Sequence, residues 1–134
     1  MRLLLVSHGR LAAGMADVLT NFFGLDNVTS ACVSMERGAA GLSKDIDEFL
    51  STCGDEQVVV CSDLMGGSAN QTAMPCLTRP NTFLIAGMNL PLCLQLAMLD
   101  EDVTAEGLKE IVAQSREAIV IMNDMTFEMG EEDE

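Results

Sequence analysis

Residues 3–9, Leu3-Leu4-Leu5-Val6-Ser7-His8-Gly9, decide how this chain is read. Four apolar residues in a row with no polar alternation, closed at once by a turn, describe a β-strand buried on both faces. The only histidine of the protein follows directly, at residue 8, and a glycine comes next. Leu11, Met15, Val18, Leu19 and Phe22 then recur at helical spacing, and Gly24 supplies a stop. The imidazole is therefore placed between the end of a core strand and the start of a helix.

The same alternation of elements continues outward from this point. Val28 to Val33 alternates in part, which suits a strand nearer a sheet edge. Leu42, Ile46, Phe49, Leu50 and Cys53 mark a second amphipathic helix, closed by Gly54. Val58-Val59-Val60-Cys61 is a second fully apolar strand, Asn70 to Leu77 reads as a short helix ended near Pro80, and Thr82 to Ala86 is the next strand. Pro91 sits at the first turn of a helix reaching about Leu99. Thr104 caps another, with Leu108, Ile111 and Val112 on its inner face. Ala118 to Met122 reads as a last short strand, and the acidic end EMGEEDE as a segment that frays into solvent. Strand following helix throughout predicts an α/β fold, flavodoxin-like and doubly wound, with a mainly parallel sheet and helices on both faces. One domain over residues 1–123 and an acidic tail over 124–134 are expected.

Composition narrows the function. At 134 residues with 49% apolar content, the chain can bury a core of its own. It has no Trp or Tyr, and its formal charge of −14 leaves seven basic residues against 21 acidic ones. Rings to stack on bases and cations to hold phosphates are both scarce, which argues against nucleic acid as a partner. Five cysteines, an odd number with no C-x-x-C pair, fall mostly in apolar runs and read as reduced, buried thiols. The leading apolar run is too short for a signal peptide, and no stretch reaches the roughly 18 residues of a membrane span. A cytoplasmic protein with no direct membrane insertion is expected.

Ligands of such sheets bind outside the carboxyl ends of the strands. Three of those ends carry polar or glycine-rich text: Ser7-His8-Gly9, then SDLMGGSAN with Asp63, Gly66, Gly67 and Ser68, then AGMNLP with Gly87 and Asn89. A lone histidine is more often structural than catalytic, but a place at a strand end, beside a glycine and opposite an Asp on a neighbouring strand, reverses that balance. Gly9 lets backbone N–H groups approach an anion, and Gly66-Gly67-Ser68 can do the same with an added hydroxyl. Gly66-Gly67 also reads simply as a tight turn, and Arg10 as either a surface charge or a contact for a phosphorylated partner.

The chemistry follows by elimination. There is no G-x-x-x-x-G-K-[ST], no G-x-G-x-x-G after a strand, and no G-x-S-x-G. One histidine without ligand-spaced cysteines is weak support for a metal. A receiver-type aspartyl phosphate at Asp63 would want acidic residues after the first strand, where His8 stands. Histidine as a phosphoryl acceptor remains.

With these motifs in place, VSHGRLAAGM, SDLMGGSAN and IAGMNLPL together make the chain resemble the enzyme IIA component of the mannose-type (mannose/fructose/sorbose) sugar phosphotransferase system, over its whole length. The resemblance implies a doubly wound α/β domain and a homodimer that exchanges its C-terminal strand. It implies a phosphoryl group taken onto His8 from the histidine-containing phosphocarrier protein and passed to a sugar-specific enzyme IIB, here a separate polypeptide. By position, His8 resembles the acceptor, Asp63 the carboxylate that orients its ring, and Gly66, Gly67 and Ser68 the phosphate-facing loop. Ala69 stands where the family often has proline. Since a phosphohistidine donor is already high in energy, neither metal nor other cofactor is implied. Two alternative readings are the phosphotransferase subunit of a dihydroxyacetone kinase and, with less support, a tetrapyrrole metal chelatase. The chelatases usually enlist further His or acidic ligands, and a second His is absent here.

Overall fold

The computed structural model describes residues 1–125. Four strands form one parallel sheet: β1 (Arg2–His8), β2 (Val28–Val33), β3 (Val58–Ser62) and β4 (Thr82–Ala86), in the order β2-β1-β3-β4. Leu3 pairs with Val28 on one side and Val59 on the other, and Leu4 with Thr29 and Val60. The strand with the most continuous apolar run is thus interior to the sheet, and its residues Leu3 to Val6 are fully buried. β2 and β4 lie at the edges and are only partly buried.

Because successive strand residues point to opposite faces, the apolar run of β1 feeds two cores. Leu3 and Leu5 pack with Ala12 and Leu19, and with Leu92, Cys93, Leu96, Leu108 and Ile111. These come from α1 (Leu11–Asp17), its continuation as a π-helical turn (Val18–Phe22), α4 (Leu90–Ala97) and α5 (Ala105–Glu117). Leu4 and Val6 pack with Leu42, Ile46 and Phe49 of α2 (Gly38–Ser51) and with Ala69 and Ala73 of α3 (Ser68–Ala73). This is the doubly wound α/β architecture expected from the alternation of elements. α3 runs on as a single 3₁₀ stretch (Met74–Thr78) before Pro80. Thr104 caps α5 as expected, its hydroxyl accepting the Gly107 N–H at 3.0 Å.

The order β2-β1-β3 gives the site its place. From β1 the chain crosses to β2 on one side, and β3 is laid down on the other. The loops after β1 and β3 therefore part from one another and leave a crevice between two adjacent strand ends. His8 closes β1 and Asp63 follows β3, so both border that crevice.

The last expected strand is not one in the single chain. Ala118 ends α5, residues 119–121 have no regular structure, and Met122–Asp124 is a short 3₁₀ turn. A strand exists only within a ladder, and no edge of this sheet takes the segment: Ile119, Val120, Ile121 and Met122 all stay exposed. The final residues, EMGEEDE, lie outside the described residues. Four cysteines are buried, Cys32 is partly so, and all five are free thiols. No described helix is long and apolar enough to cross a membrane.

Leu5 is fully buried in the larger core. Its replacement by Ala is expected to lower unfolding free energy by about 2–5 kcal/mol, measured by urea denaturation. The exposed Leu77→Ala change should cost well under about 1 kcal/mol.

Candidate functional site

Three side chains from three parts of the sequence meet at the crevice. The His8 ring donates from Nδ1 to Asp63 Oδ2 at 2.8 Å, and the same oxygen accepts the His8 backbone N–H at 2.9 Å. A carboxylate has no proton to give, so Nδ1 carries the hydrogen and the neutral ring keeps its lone pair on Nε2. Ser68 Oγ lies 2.9 Å from Nε2, and its hydroxyl donates there. The ring is thus held from one side by a charge and met on the other by a hydroxyl.

Exposure divides the pair. The Asp63 side chain is 9% exposed and the His8 side chain 49%. Burial alone would push the Asp63 pKa up, but the His8 backbone N–H and then the His8 ring outweigh it, so the carboxyl titrates below its ordinary 3.8. Its second oxygen, Oδ1, is buried and has no hydrogen-bond partner among the described residues. An anchored acid below and an accessible imidazole above suit a nucleophile that must meet another macromolecule.

The glycines play parts that their positions in the sequence did not distinguish. Gly67 lies against the ring: a Cβ there would stand 3.1 Å from His8 Cε1 and 3.2 Å from the Leu64 carbonyl. Gly66 turns the loop with φ +78°, a value that L side chains rarely adopt. The amides of Gly9, Gly66 and Gly67 are already engaged, by Val33 O, Asn70 Oδ1 and Leu64 O. They are occupied within the protein, where the sequence suggested donors for an anion. Ser68, the exposed first residue of α3, is better placed for that role. Its N–H precedes the first intrahelical bond, from Gln71 to Gly67, and its N-cap Gly67 offers no side chain to it.

Other singled-out residues lie elsewhere. Asn89 caps α4, accepting the Leu92 N–H at 2.9 Å, and its amide donates to Ser115 O at 2.9 Å, which ties α4 to α5. Gly87 turns the chain after β4 with φ +81°. Arg10 is exposed at the N-cap of α1, next to the site. Two residues escaped the sequence reading. Ser7 is fully buried, and its hydroxyl accepts the Ala12 N–H at 2.8 Å, fixing the start of α1 against the end of β1. Asn70 is buried beneath the glycine loop. A serine one residue before His8, followed by a helix, was the only available hint of the first.

A family sequence model described as PTS system fructose IIA component matches residues 2–114. The sorbose-specific EIIA component of the PTS system of Klebsiella pneumoniae is 30% identical over 103 residues, 76% of each chain. The mannose/sorbose-specific IIA subunit from Enterococcus faecalis superposes with a TM-score of 0.81 at 24% identity, covering 90% of this chain and 92% of that one. The PTS IIA protein associated with the fucose utilization operon of Streptococcus pneumoniae gives 0.81 at 22% identity, over 93% and 95%. These two likenesses speak for the fold.

Asp63→Asn tests the buried carboxylate. The His8 backbone N–H cannot turn away, so the amide oxygen should stay toward His8 and keep the proton on Nδ1, as ring ¹⁵N shifts would report. The amide NH₂ then takes the partnerless Oδ1 position, which should destabilise the fold by about 1–3 kcal/mol at neutral pH. A carboxyl whose pKa is lowered on folding stabilises the protein above its unfolded value and loses that contribution as pH falls through the folded one. The charge-dependent part of the gap between wild type and variant should therefore vanish in acid, below the ordinary 3.8.

Proposed function

Because the chain belongs to the EIIA-man family of sugar phosphotransferase-system IIA components, we propose that it carries a phosphoryl group on His8 Nε2. The group would come from the histidine-containing phosphocarrier protein and go to a histidine of a sugar-specific enzyme IIB. One observation carries the assignment to His8: the buried Asp63 fixes the proton on Nδ1 while Nε2 sits on the accessible side beside Ser68.

The transfer is an in-line exchange between two imidazoles. As the donor approaches, the Ser68 hydroxyl turns from Nε2 and the lone pair attacks phosphorus. The new N–P bond forms as the N–P bond of the donor breaks, and the donor ring keeps that electron pair. His8 becomes a phosphorylated imidazolium, still protonated at Nδ1, and Asp63 2.8 Å away balances the positive charge that develops. The Ser68 hydroxyl and the Ser68 backbone N–H are donors for the phosphoryl oxygens. Passing the group to enzyme IIB reverses these steps. Asp63 stabilises the charged ring without taking its proton, so the ring returns to the same tautomer after each cycle.

A C₂ homodimer belongs to the same reading. Ile119 to Met122 are four exposed apolar residues in succession, and β4 is an edge strand with one unpaired side. Laying this segment of one protomer along the sheet of its partner would give both the ladder each lacks.

Two outcomes are expected. Incubation with phosphoenolpyruvate, enzyme I and the phosphocarrier should add one phosphoryl group, stable in alkali and lost in acid, and His8→Ala should abolish it while leaving the circular dichroism unchanged. Label that survives acid, or maps to Asp63 or Ser68, overturns the assignment. For assembly, light scattering at micromolar concentration should give twice the chain mass. Truncation before Ile119 should give a folded monomer, and a wild-type monomer counts against the exchange.

A further inference from the structure

The loop that carries Gly67 and Ser68 to His8 is fastened from below by one buried amide. Asn70 is 8% exposed. Its Oδ1 accepts the Gly66 N–H at 3.1 Å, and its Nδ2 donates to Ser62 Oγ at 2.9 Å. Ser62, the last residue of β3, is itself fully buried and donates weakly onward to Ile85 O at 3.5 Å. From the same helix, Gln71 Nε2 donates to Gly66 O at 2.8 Å. Both polar groups of the Gly66 peptide backbone are therefore held by α3, at the residue whose positive φ sets the turn. The next two residues lie at the ring: Gly67, where an added Cβ would crowd Cε1, and Ser68, whose hydroxyl meets Nε2.

We propose that Asn70 is a positioning residue of the phosphoryl-transfer site: by bracketing the Gly66 amide to the end of β3, it sets the distance between Ser68 and His8 Nε2. Asn70 has no bond to His8 and acts through the loop. Ser62 and Asp63 are consecutive, so the bracket measures the loop from the strand end that also presents the carboxylate. Both sides of the His8 ring are thereby referred to one fixed point. A Cβ added at Gly67 would stand 3.1 Å from His8 Cε1, so the loop has little room to shift toward the ring, and a misplacement of about 1 Å in such a site costs on the order of 10²-fold in rate. The inference rests on the phosphoryl-transfer reading for its kinetic arm only.

The experiment compares wild type with Asn70→Ala, Asn70→Asp and Ser62→Ala. Melting temperature and circular dichroism report folding, ring ¹⁵N shifts report the Ser68 contact at His8 Nε2, and initial rates against phosphocarrier concentration separate kcat from KM. Asn70→Ala should fold, lose the Nε2 signature of the Ser68 hydroxyl, and drop kcat about 10–100-fold with KM changed less than about twofold. Asn70→Asp keeps an acceptor for the Gly66 N–H and lets the Ser62 hydroxyl turn and donate to it, so kcat should stay within about threefold of wild type. A folded Asn70→Ala variant with wild-type kcat and ring shifts overturns the proposal, as does an Asp variant as impaired as the Ala one. If Asn70→Ala does not fold, Ser62→Ala decides: a fall in kcat of about fivefold or more supports the bracket, and an unchanged kcat refutes it. If wild type takes no phosphoryl group, the functional reading falls, and the ring shifts alone decide whether Asn70 sets the Ser68 contact.

Discussion

One carboxylate oxygen, Asp63 Oδ2, accepts two hydrogen bonds from the same residue, the backbone N–H and the ring Nδ1–H of His8. The first is a structural bond between the end of β1 and the loop after β3. The second fixes the tautomer. Because one atom makes both, the ring cannot swing or change its proton without disturbing the junction of the two central strands. Charge-assisted bonds to a nearly buried carboxylate are stronger than neutral ones. Nε2 is thus oriented by the same contact that closes the top of the sheet.

The rest of the architecture serves that contact. Parallel pairing of β1 with β3 brings Val6 opposite Ser62, so the residues that follow, on either side of the crevice, meet at their polar ends. Two separate cores hold β1 from above and below, and the Ser7 hydroxyl fixes the direction in which α1 leaves the strand end. Ser7 and Asn70 are both buried; Ser7 accepts a backbone N–H from the helix after it and Asn70 one from the loop before it, and the two convert strand position into loop position. A site of exposed side chains gains its precision from polar atoms below the surface that never meet the ligand.

Most of the sheet was legible because strands buried on both faces leave unbroken apolar runs, as Leu3 to Val6 and Val58 to Cys61 do. The clustering of His8, Asp63, Gly67 and Ser68 followed from a rule about strand ends and needed no knowledge of distances. What escaped was whatever depends on hydrogen-bond partners far away in sequence. Gly9, Gly66 and Gly67 looked like donors awaiting an anion, yet their amides are paired within the protein. Asn89 stood out as polar text at a strand end and is a helix cap, its side chain accepting the Leu92 N–H. Residues 118–122 have a strand's composition but no strand in one chain, since the ladder that makes a strand lies outside the segment itself.

The bond between His8 and Asp63 spans 55 residues, and this bears on how the protein comes into being at the ribosome. β1 is made first yet belongs in the middle of the sheet. Its apolar run must wait, with only β2 for company, until β3 has been synthesised. Long-range parallel pairing of this kind is slow and exposes sticky surface while it is incomplete. The two halves of the site meet only once that pairing is achieved, so an unfinished or misassembled chain has no oriented imidazole to offer. The paired His8 and Asp63 then arrive together with the closing of the sheet, and a nascent chain lacks that pair until it is folded.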